Sequence, residues 1–562
     1  MAYEKKRNSS ILYKDDYVMV WIDSTHQRRN YSQFKVNALG TQWESLEGGS
    51  ANKIEWRGDW RAAAKVVEDG FNVEMAIPFS LLKYNRNQDT FGICLMRSFP
   101  IENISVTWPD MDGRFDSVRF ADWNDVNPPW ERPKPVFMGY LTSSGGAGSN
   151  QSQIGVDIKH PFSVDTLGLL SINPDFGTID QGVETVDFSY TERGLADNRP
   201  FFQDWSMALP GCIFYSRRVP DFDLGARMAG RRGPHSFGLM NARGPGALND
   251  TALSYVRAFG DLSYVTAALT DHRTPGHRNT VGAFIGHLGW ANGVRKHDLG
   301  CAVLASGTTG LQSGQLRDMG YSTSGGSGRL GGNIYYGRVD ATYNPELGIL
   351  SDTDTRGGSI SLDWFKDYRN SKLMSLKLHS NVSRFKRLDG SPFTDGLSFG
   401  LHTAFVGAYG FSFHSTLATR EEFDDAYNRL EAFWHEISPN TPGSMGYSWG
   451  RKANGRYSSM TLKQQFRFAE DLVLSVLVER ERIGKPSPYA GIRRQVVTTM
   501  NYDLTPEKSV GGRIVRRLGK QNIYLSYRQQ VRRGMDVYII YGDPNAEESI
   551  GRLSLKLVRP LF

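Results

Sequence analysis

The chain has few cysteines and no long apolar run. Its 562 residues contain only Cys94, Cys212 and Cys301, three isolated thiols, which argues against a disulfide framework or a zinc cluster. No stretch of 18 apolar residues is present, which excludes a transmembrane helix. The mean hydropathy of −0.43 does not make the chain soluble, because short alternating segments that cross a membrane also average to a polar composition.

Alternation of apolar and polar residues dominates the chain beyond residue 135. In residues 372–385, Met374, Leu376 and Leu378 fall on one parity while Lys377 falls on the other. A β-strand points successive side chains to opposite faces, so this stretch predicts a strand with one apolar face and one wet face. The same pattern recurs in residues 333–344, 358–367, 458–471, 471–482 and 521–534.

The connections between these strands are predicted to alternate between short turns and longer polar loops, with residues 435–457 as one of the longer loops. This sorting is typical of a membrane β-barrel, whereas a large soluble β protein would have no reason to sort its loops by length. In hydrocarbon every backbone group needs a protein partner, so such a sheet must close on itself. We therefore predict an all-β chain with a large antiparallel transmembrane β-barrel in residues 136–562, of about 20 strands, with roughly 16–22 plausible.

The polar parity of each predicted strand is expected to face the lumen of the barrel. In residues 333–344 this assigns Tyr335, Val339 and Tyr343 to the lipid face. The side chains predicted to face the lumen include Arg338, Asp340, Lys377, Lys463, Arg467 and Arg528. A barrel of this size is wide enough for a water-filled lumen or for a plug, so lumen solvation explains such charges without a specific site.

Two further units precede the predicted barrel. Residues 1–123 contain short β-rich runs between turn signals and no long helical pattern, which predicts a small β-sandwich with Trp21 and Trp60 in its core. Residues 124–135 contain four prolines. Because proline cannot donate a ladder hydrogen bond, this stretch is predicted to be an extended linker.

Residues 193–205 break the alternation inside the predicted barrel. The side chains that distinguish this segment are Arg199, Phe201, Phe202 and Trp205. Two adjacent phenylalanines need burial, so we predict that the segment folds back into the lumen and partly blocks it. The alternative is a loop outside the barrel that carries an apolar anchor.

The N-terminal domain holds candidate sugar-binding residues. Sugar binding by a β-sandwich usually depends on aromatic rings that stack on the sugar, with amides or arginines that hold its hydroxyl groups. The candidates are Trp43, Trp56 and Trp108, with Asn37 and Arg97 as polar partners. The alternative is that this domain serves only as a periplasmic cap on the barrel.

Catalytic and metal sites have weaker support in the sequence. A glycoside hydrolase needs two carboxylates across a cleft, and no spacing singles out a pair among Asp23, Asp59, Glu74 and Asp110. We therefore assign no catalytic residue. Asp175 and Asp180 lie near glycines in a turn that calcium could use, but the ligand spacing of an EF-hand is absent, so a structural turn is favoured. No cofactor is expected.

The two chain ends and the charge bear on location and partners. The net charge is +7, with acidic and basic residues mixed, which favours a solvated surface over nucleic-acid binding. The first residues lack the apolar segment of a signal peptide, so we expect the natural precursor to begin further upstream. The chain ends at Phe562, which is typical of the signal for outer-membrane assembly, although Leu553, Leu555 and Leu557 are out of phase with it.

Two parts of the chain resemble known domains. Residues 15–24, 34–44, 60–84 and 91–99 are similar to the family 9 carbohydrate-binding-like domain found at the front of certain outer-membrane proteins. Residues 169–189, 198–205 and 212–219, which carry the NPDFG, RPFF and FYSRR elements in that order, resemble the domain of unknown function DUF5916 that follows it. The resemblance covers the chain from about residue 13 to its end.

The resemblance implies an outer-membrane barrel with a periplasmic N-terminal domain, and it implies no settled activity. The N-terminal domain lacks the first strands of that family, and Ala196, Asp197 and Asn198 replace the usual glutamate and lysine before Arg199. We expect the protein to pass or capture a solute such as a glycan, with outer-membrane lipid and the assembly machinery as partners. The alternatives are a hydrolase of O-glycosyl bonds and a structural or secretion-partner barrel.

Overall fold

The computed structural model describes most of the chain. The residues it leaves undescribed are 1, 6, 10–11, 27, 29–30, 47–57, 83, 85–86, 101–103, 112–114, 116, 130–133, 147–149, 164–165, 181, 204–208, 261, 369–370, 436–440, 469–470, 506, 533–534 and 562. Within the described residues, no helix is long and apolar enough to cross a membrane.

The described residues of the N-terminal domain form one sheet and one hairpin. Its strands are β1 (Tyr17–Asp23), β2 (Ser32–Asn37), β3 (Gln42–Ser45), β4 (Arg61–Val67), β5 (Gly70–Ala76), β6 (Phe91–Phe99), β7 (Ile104–Trp108) and β8 (Ala121–Trp123). The sheet has the order β3-β2-β1-β6-β7, with β8 also paired to β6, and β4 and β5 form the hairpin. Short 3-10 turns lie at Leu12–Lys14, Phe79–Leu81 and Ser117–Arg119.

Apolar cores cover both faces of this sheet. This is expected because β1 carries apolar side chains at both its even and its odd positions, which point to opposite faces. Ile22 and Phe34 lie in one core with Trp60, and the hairpin packs against that face. Trp21 lies in a second core on the opposite face. The predicted burial of Trp21 and Trp60 is confirmed, since both side chains are at least 95% buried.

The rest of the chain forms 24 strands within the described residues. They are β9 (Val136–Gly146), β10 (Gln151–Ser163), β11 (Thr166–Ile172), β12 (Leu224–Arg232), β13 (His235–Gly244), β14 (Leu248–Phe259), β15 (Ser263–Thr274), β16 (His277–Asn292), β17 (Arg295–Thr308), β18 (Gly314–Ser324), β19 (Leu330–Val339), β20 (Thr355–Asp367), β21 (Leu373–Arg387), β22 (Pro392–Phe405), β23 (Tyr409–Arg420), β24 (Phe423–Trp434), β25 (Gly443–Lys452), β26 (Gly455–Phe468), β27 (Leu472–Ile483), β28 (Gly491–Thr505), β29 (Lys508–Arg517), β30 (Lys520–Arg532), β31 (Met535–Tyr541) and β32 (Arg552–Leu561). One short helix, α1 (Pro200–Gln203), and 3-10 turns at Ser216–Arg218 and Pro245–Ala247 complete this part.

These strands close into an antiparallel barrel. Each pairs with its neighbours in the chain, and β9 pairs with β32 to seal the sheet, with Leu141 opposite Leu557. The predicted number of about 20 strands, with a range of roughly 16–22, is wrong because the barrel has 24. Residues 435–457 were predicted as one long loop, but they contain β25, whose glycines weaken the apolar pattern of a strand.

A belt of exposed apolar side chains surrounds the outside of the barrel. Its members include Leu141, Leu253, Phe284, Met319, Ile360, Leu397, Leu430, Val496, Leu525 and Leu555. Apolar side chains exposed on this scale are costly in water and stable in a lipid bilayer. A closed sheet inside such a belt is the architecture of a membrane-spanning barrel.

The two rims of the barrel differ in their connections. We call the rim that holds both chain ends of the barrel the turn rim, and its longest connection is residues 435–442. The opposite rim, the loop rim, carries the longer connections 173–223, 340–354 and 542–551. It also contains tight turns such as residues 421–422, so the predicted sorting by length rests on these few long connections.

One strand has the opposite orientation to the one predicted. Tyr343 and Val339 pack in an apolar cluster inside the barrel, while Tyr336 is exposed on the outside together with Arg338. The assignment of Arg338 to the lumen is therefore wrong, and Asp340 follows the strand end, 3.4 Å from Arg338. The inner side chains are apolar here because they contact other protein segments, and the outer charges lie at the loop rim, beyond the belt.

Candidate functional site

A long connection folds into the barrel between β11 and β12. We call residues 173–223 the inserted segment. Phe201 and Phe202 belong to its apolar core, and the ring centroids of Phe201 and Phe222 lie 4.9 Å apart. The same core includes inward side chains of the wall, among them Met240 on β13 and Ala252 on β14. The two phenylalanines are therefore buried between the segment and the barrel wall.

A glycine on the wall makes this contact possible. Gly225 lies on β12, directly beside the two aromatic rings. A Cβ atom at this position would lie 2.4 Å from the ring of Phe222 and 2.8 Å from the ring of Phe201. Any side chain here would push the inserted segment away from the wall.

Arg199 holds the turn of the inserted segment together. Its guanidinium forms an ion pair with Asp197 at 2.8 Å and donates to the carbonyls of Ser216 and Val219 at 2.6 and 2.9 Å. The ring of Phe202 lies 4.5 Å below the guanidinium. A buried arginine needs this set of partners, because an unpaired charge in such surroundings is strongly destabilising. Trp205, the fourth residue predicted for the lumen, lies outside the described residues.

A second apolar cluster anchors the segment to the strands that follow. Ile213 is fully buried among inward side chains of β15–β18, including Val281 and Leu304. Tyr343, from the connection 340–354, lies in the same cluster. This connection thus packs against the inserted segment and extends the obstruction across the lumen.

Polar contacts fasten the opposite side of the segment to the wall. The backbone N–H of Phe188 donates to both carboxylate oxygens of Glu481 on β27, at 3.0 and 2.9 Å. Glu481, which is 1% exposed, also accepts from Arg493 at 3.0 Å. The ammonium of Lys452 on β25 donates to the carbonyl of Phe188 at 2.8 Å. We call these four residues the polar latch.

Aromatic contacts extend the polar latch along the wall. The hydroxyl of Tyr190 donates to Asp425 on β24 at 2.9 Å. The ring of Phe188 lies 4.3 Å from that of Tyr489, and the ring of Tyr190 lies 6.0 Å from that of Phe423. The segment therefore reaches from β11 across the lumen to strands more than half a barrel away along the chain.

The first residues of the inserted segment contact the strands near the barrel seam. Asp175 pairs with Lys556 on β32 at 3.2 Å, and Asp180 pairs with Arg513 on β29 at 2.5 Å. Burial acts to raise the pKa of Asp175, but Lys556 and the hydroxyls of Thr178 and Thr142 lower it below its usual value. Both carboxylates proposed for calcium thus already neutralise basic side chains of the wall.

A cavity of about 750 Å³ lies in the turn-rim half of the lumen. Val183 of the inserted segment lines it from one side, and Tyr13 and Lys14 of the N-terminal domain line it from the other. The wall contributes polar side chains, namely His402, Ser412, Glu431, Ser444, Lys463, Gln465, Ser475, Thr499 and Arg513. Lys463 faces the lumen, as predicted. We call this space the lower chamber.

The N-terminal domain is attached to the wall beside the lower chamber. Arg467, near the turn-rim end of β26, pairs with Glu4 at 3.0 Å and donates to the carbonyl of Tyr3 at 3.0 Å. The side chains of Arg467 and Glu4 are 5% and 7% exposed. Asp15 accepts the backbone N–H groups of Tyr3 and Glu4, which ties this strip of chain to the sheet.

Two of the five residues predicted to bind sugar lie on one face of the N-terminal sheet. Asn37 is fully buried, and its amide donates to the carbonyl of Glu4 and to the carboxylate of Asp15. The ammonium of Lys35 lies 4.7 Å from the ring centroid of Trp43. Burial lowers the pKa of Lys35 to about 8. The amide of Asn37 and one face of the Trp43 ring are therefore already occupied by contacts within the domain.

The other described candidates lie on the opposite face. Arg97 on β6 and Trp108 on β7 are diagonal neighbours in the register of the two strands. The guanidinium of Arg97 lies 5.0 Å from the ring of Phe71 and 4.8 Å from that of Phe99, and Trp108 is 56% exposed. The structure brings these two together and separates them from Asn37 and Trp43. Trp56 lies outside the described residues.

Asp23 and Glu74, two of the carboxylates considered for a catalytic pair, lie in separate surroundings. Asp23 is fully buried and accepts hydrogen bonds from the hydroxyl of Thr25 and the backbone N–H of Arg28. Glu74 is exposed on the hairpin. Among the described residues, no group of acidic, histidine or cysteine side chains could hold a metal ion.

Sequence analysis missed the polar latch and the lower chamber. Glu481 lies in the run "VERERIG", where its parity marks it as facing the lumen, but nothing local links it to Phe188, almost 300 residues earlier. Only the break in alternation at residues 193–205 pointed to an insertion. The lower chamber draws its lining from two domains, so no single stretch of sequence could reveal it.

Comparison with known proteins finds distant likeness only. No protein family and no curated protein matches the chain. The siderophore receptor PirA from Acinetobacter baumannii aligns with a TM-score of 0.43 and 8% identity over 84% of this chain and 85% of that chain. PirA from Pseudomonas aeruginosa aligns with a TM-score of 0.42 and 8% identity over 77% of this chain and 81% of that one. The P pilus usher (PapC) translocation pore covers 97% of this chain and 98% of its own at a TM-score of 0.28 and 11% identity.

Proposed function

We propose that the protein is an outer-membrane β-barrel for solute passage, and that the inserted segment is the plug that blocks its lumen. The observation that carries this proposal is the polar latch. One side of the segment packs through apolar clusters, whereas the other is held by hydrogen bonds and ion pairs around Phe188 and Tyr190. Polar contacts can exchange with water, so this side can detach while the apolar side remains as the anchor.

The proposal also assigns the two rims. Membrane barrels of this kind place short turns and chain termini on the periplasmic side. The turn rim, with the N-terminal domain attached through Glu4 and Arg467, is then periplasmic. A solute would enter at the loop rim, pass the displaced plug and reach the lower chamber. A fixed plug would instead favour the structural or secretion-partner barrel.

Replacing Lys452 by methionine tests whether the plug can be released. The substitution keeps the length of the side chain and removes the ammonium that binds the carbonyl of Phe188. We expect liposomes that contain the variant to swell several-fold faster in a solute of sugar size than liposomes with the unchanged protein. The measurement is the initial swelling rate, by light scattering, at equal amounts of heat-modifiable folded barrel.

Lys372→Met is the matched control, because Lys372 lies in an exposed turn on the opposite rim. Its swelling rate should equal that of the unchanged protein. Absence of swelling with both variants, even after the plug becomes accessible to protease, would contradict passage through the lumen.

Glycan capture is the finer part of the proposal, supported by the exposed ring of Trp108 beside Arg97. An exposed aromatic ring next to a guanidinium can stack on a sugar and bind its hydroxyl groups. We expect Trp108→Ala to weaken binding to an oligosaccharide panel by about fivefold, since one stacking aromatic contributes roughly 1 kcal/mol. Trp123→Ala, which removes another partly exposed tryptophan of the same sheet, is the control. Equal binding by all three proteins would remove sugar capture from the proposal.

A further inference from the structure

The outer surface near the loop rim carries an arc of arginines. We call Arg456 on β26, Arg480 and Arg482 on β27 and Arg494 on β28 the arginine arc. All four side chains are exposed. Their parity is that of the lipid belt, since Arg480 lies opposite Met460 and two residues from Val478 on the same face. Two residues of strand rise about 7 Å, so the arc lies just above the apolar belt.

Like charges meet directly across strands in this arc. Arg480 is the register partner of Arg494. Arg456 is the register partner of Arg451, which is itself paired with Asp424 at 3.5 Å. Like charges that face each other across a strand pair are destabilising unless an anion is shared between them. The neighbouring inward residues Glu479 and Glu481 point to the lumen, and Glu481 is already occupied by the polar latch.

The arc lacks acidic partners in the described part of the chain. Within the described residues, the side chains of Arg456, Arg480, Arg482 and Arg494 make no hydrogen bond or ion pair, although their backbones pair in the strand ladders. Several other outward basic residues of the loop rim are compensated, as Arg278 is by Asp271 at 2.6 Å. Arg356 and Lys386, which are exposed register partners on β20 and β21, have no ion pair in the described residues. The remaining compensated arginines are Arg273 with Asp271, Arg338 with Asp340 and Arg384 with Asp395. The arginine arc therefore groups four uncompensated arginines on three neighbouring strands.

We propose that the arginine arc binds the phosphate groups of a phosphorylated glycolipid of the lipid A type in the leaflet at the loop rim. Arginine binds phosphate oxygens with a planar fork of N–H donors, and it is more weakly hydrated than lysine. Phosphate groups at the level of the lipid headgroups lie directly above the acyl chains, at the height where the arc meets the apolar belt. Bound phosphates would also relieve the repulsion between Arg480 and Arg494.

In the test, the full chain in detergent micelles is mixed with bisphosphorylated lipid A. The measurement is the amount of lipid retained per barrel. Arg480→Gln combined with Arg494→Gln should weaken retention by roughly 30-fold, since each basic side chain at an anionic lipid surface contributes about a fivefold factor. Arg257→Gln combined with Arg559→Gln is the matched control. These two arginines are exposed on the same outer face at the turn rim, so the change in charge is equal.

Two further probes identify the source of the phosphate. Lipid A stripped of its phosphates should bind the unchanged protein as weakly as intact lipid A binds the double variant. Inorganic phosphate at millimolar concentration should leave lipid A bound. The proposal is overturned if the Arg480/Arg494 variant retains lipid A as well as the control does, if the phosphates make no difference, or if inorganic phosphate alone displaces the lipid.

Discussion

Glu481→Ala is expected to convert a nearly silent barrel into one with large, fluctuating single-channel conductance. The substitution leaves the N–H of Phe188 and the guanidinium of Arg493 without their shared acceptor. Removing one partner of a buried charged pair costs roughly 3 kcal/mol or more, which is more than a hundredfold in the equilibrium between the attached and detached segment. The measurement is planar-bilayer recording of purified full-length protein.

Glu548→Ala is the control for this result. Glu548 lies in the connection 542–551 on the same rim, and its side chain is 66% exposed. Its conductance should match that of the unchanged protein, and Glu481→Gln should be intermediate because its amide oxygen still accepts one hydrogen bond. A silent Glu481→Ala barrel would show that the polar latch does not hold the plug in place.

Phe201→Ala is expected to expose the inserted segment to protease while the barrel itself stays folded. Phe201 is 2% exposed and contacts the rings of Phe202 and Phe222. Truncation of such a side chain costs about 3–5 kcal/mol, and here the loss falls on the plug rather than on the strand ladders. Trypsin should then cut after Arg193 or Arg217 at least tenfold faster. The measurement is the fragment pattern by mass spectrometry.

Phe162→Ala provides the comparison, because Phe162 is 62% exposed on the outer face of β10. Heat-modifiable migration on gels reports whether the barrel remains closed in both variants. If Phe201→Ala unfolds the barrel together with the segment, the plug is an integral part of the barrel core. If neither protease sensitivity nor conductance changes, the segment is held by contacts other than its aromatic core.

The alternation of side chains predicted most strands correctly and failed at identifiable places. For residues 372–385 the apolar parity faces lipid and Lys377 faces the lumen, as predicted. On β19 the same rule gave the wrong face, because Tyr335 and Val339 are apolar for contact with protein inside the barrel. Two environments exclude water here, lipid and a packed lumen, and alternation cannot distinguish between them.

The candidate site was only partly visible in the sequence. Phe201 and Phe202 stood out because two adjacent aromatic residues interrupt a strand pattern. No local sequence feature distinguishes Glu481, Lys452 or Asp425, since each is one of many charged residues at the polar positions of a strand. Their role depends on which strand lies beside the inserted segment, and that depends on closure of the whole sheet.

The sequence by itself determined the all-β class, the apolar outer face of most strands and the presence of an unusual internal segment. These follow from local physics, because side-chain alternation and adjacent aromatic residues act within a few positions. Only the tertiary structure decided the number of strands, the filling of the lumen, the polar latch and the grouping of Arg480 with Arg494. Each of these depends on the register between strands, and register places residues together that no local pattern connects.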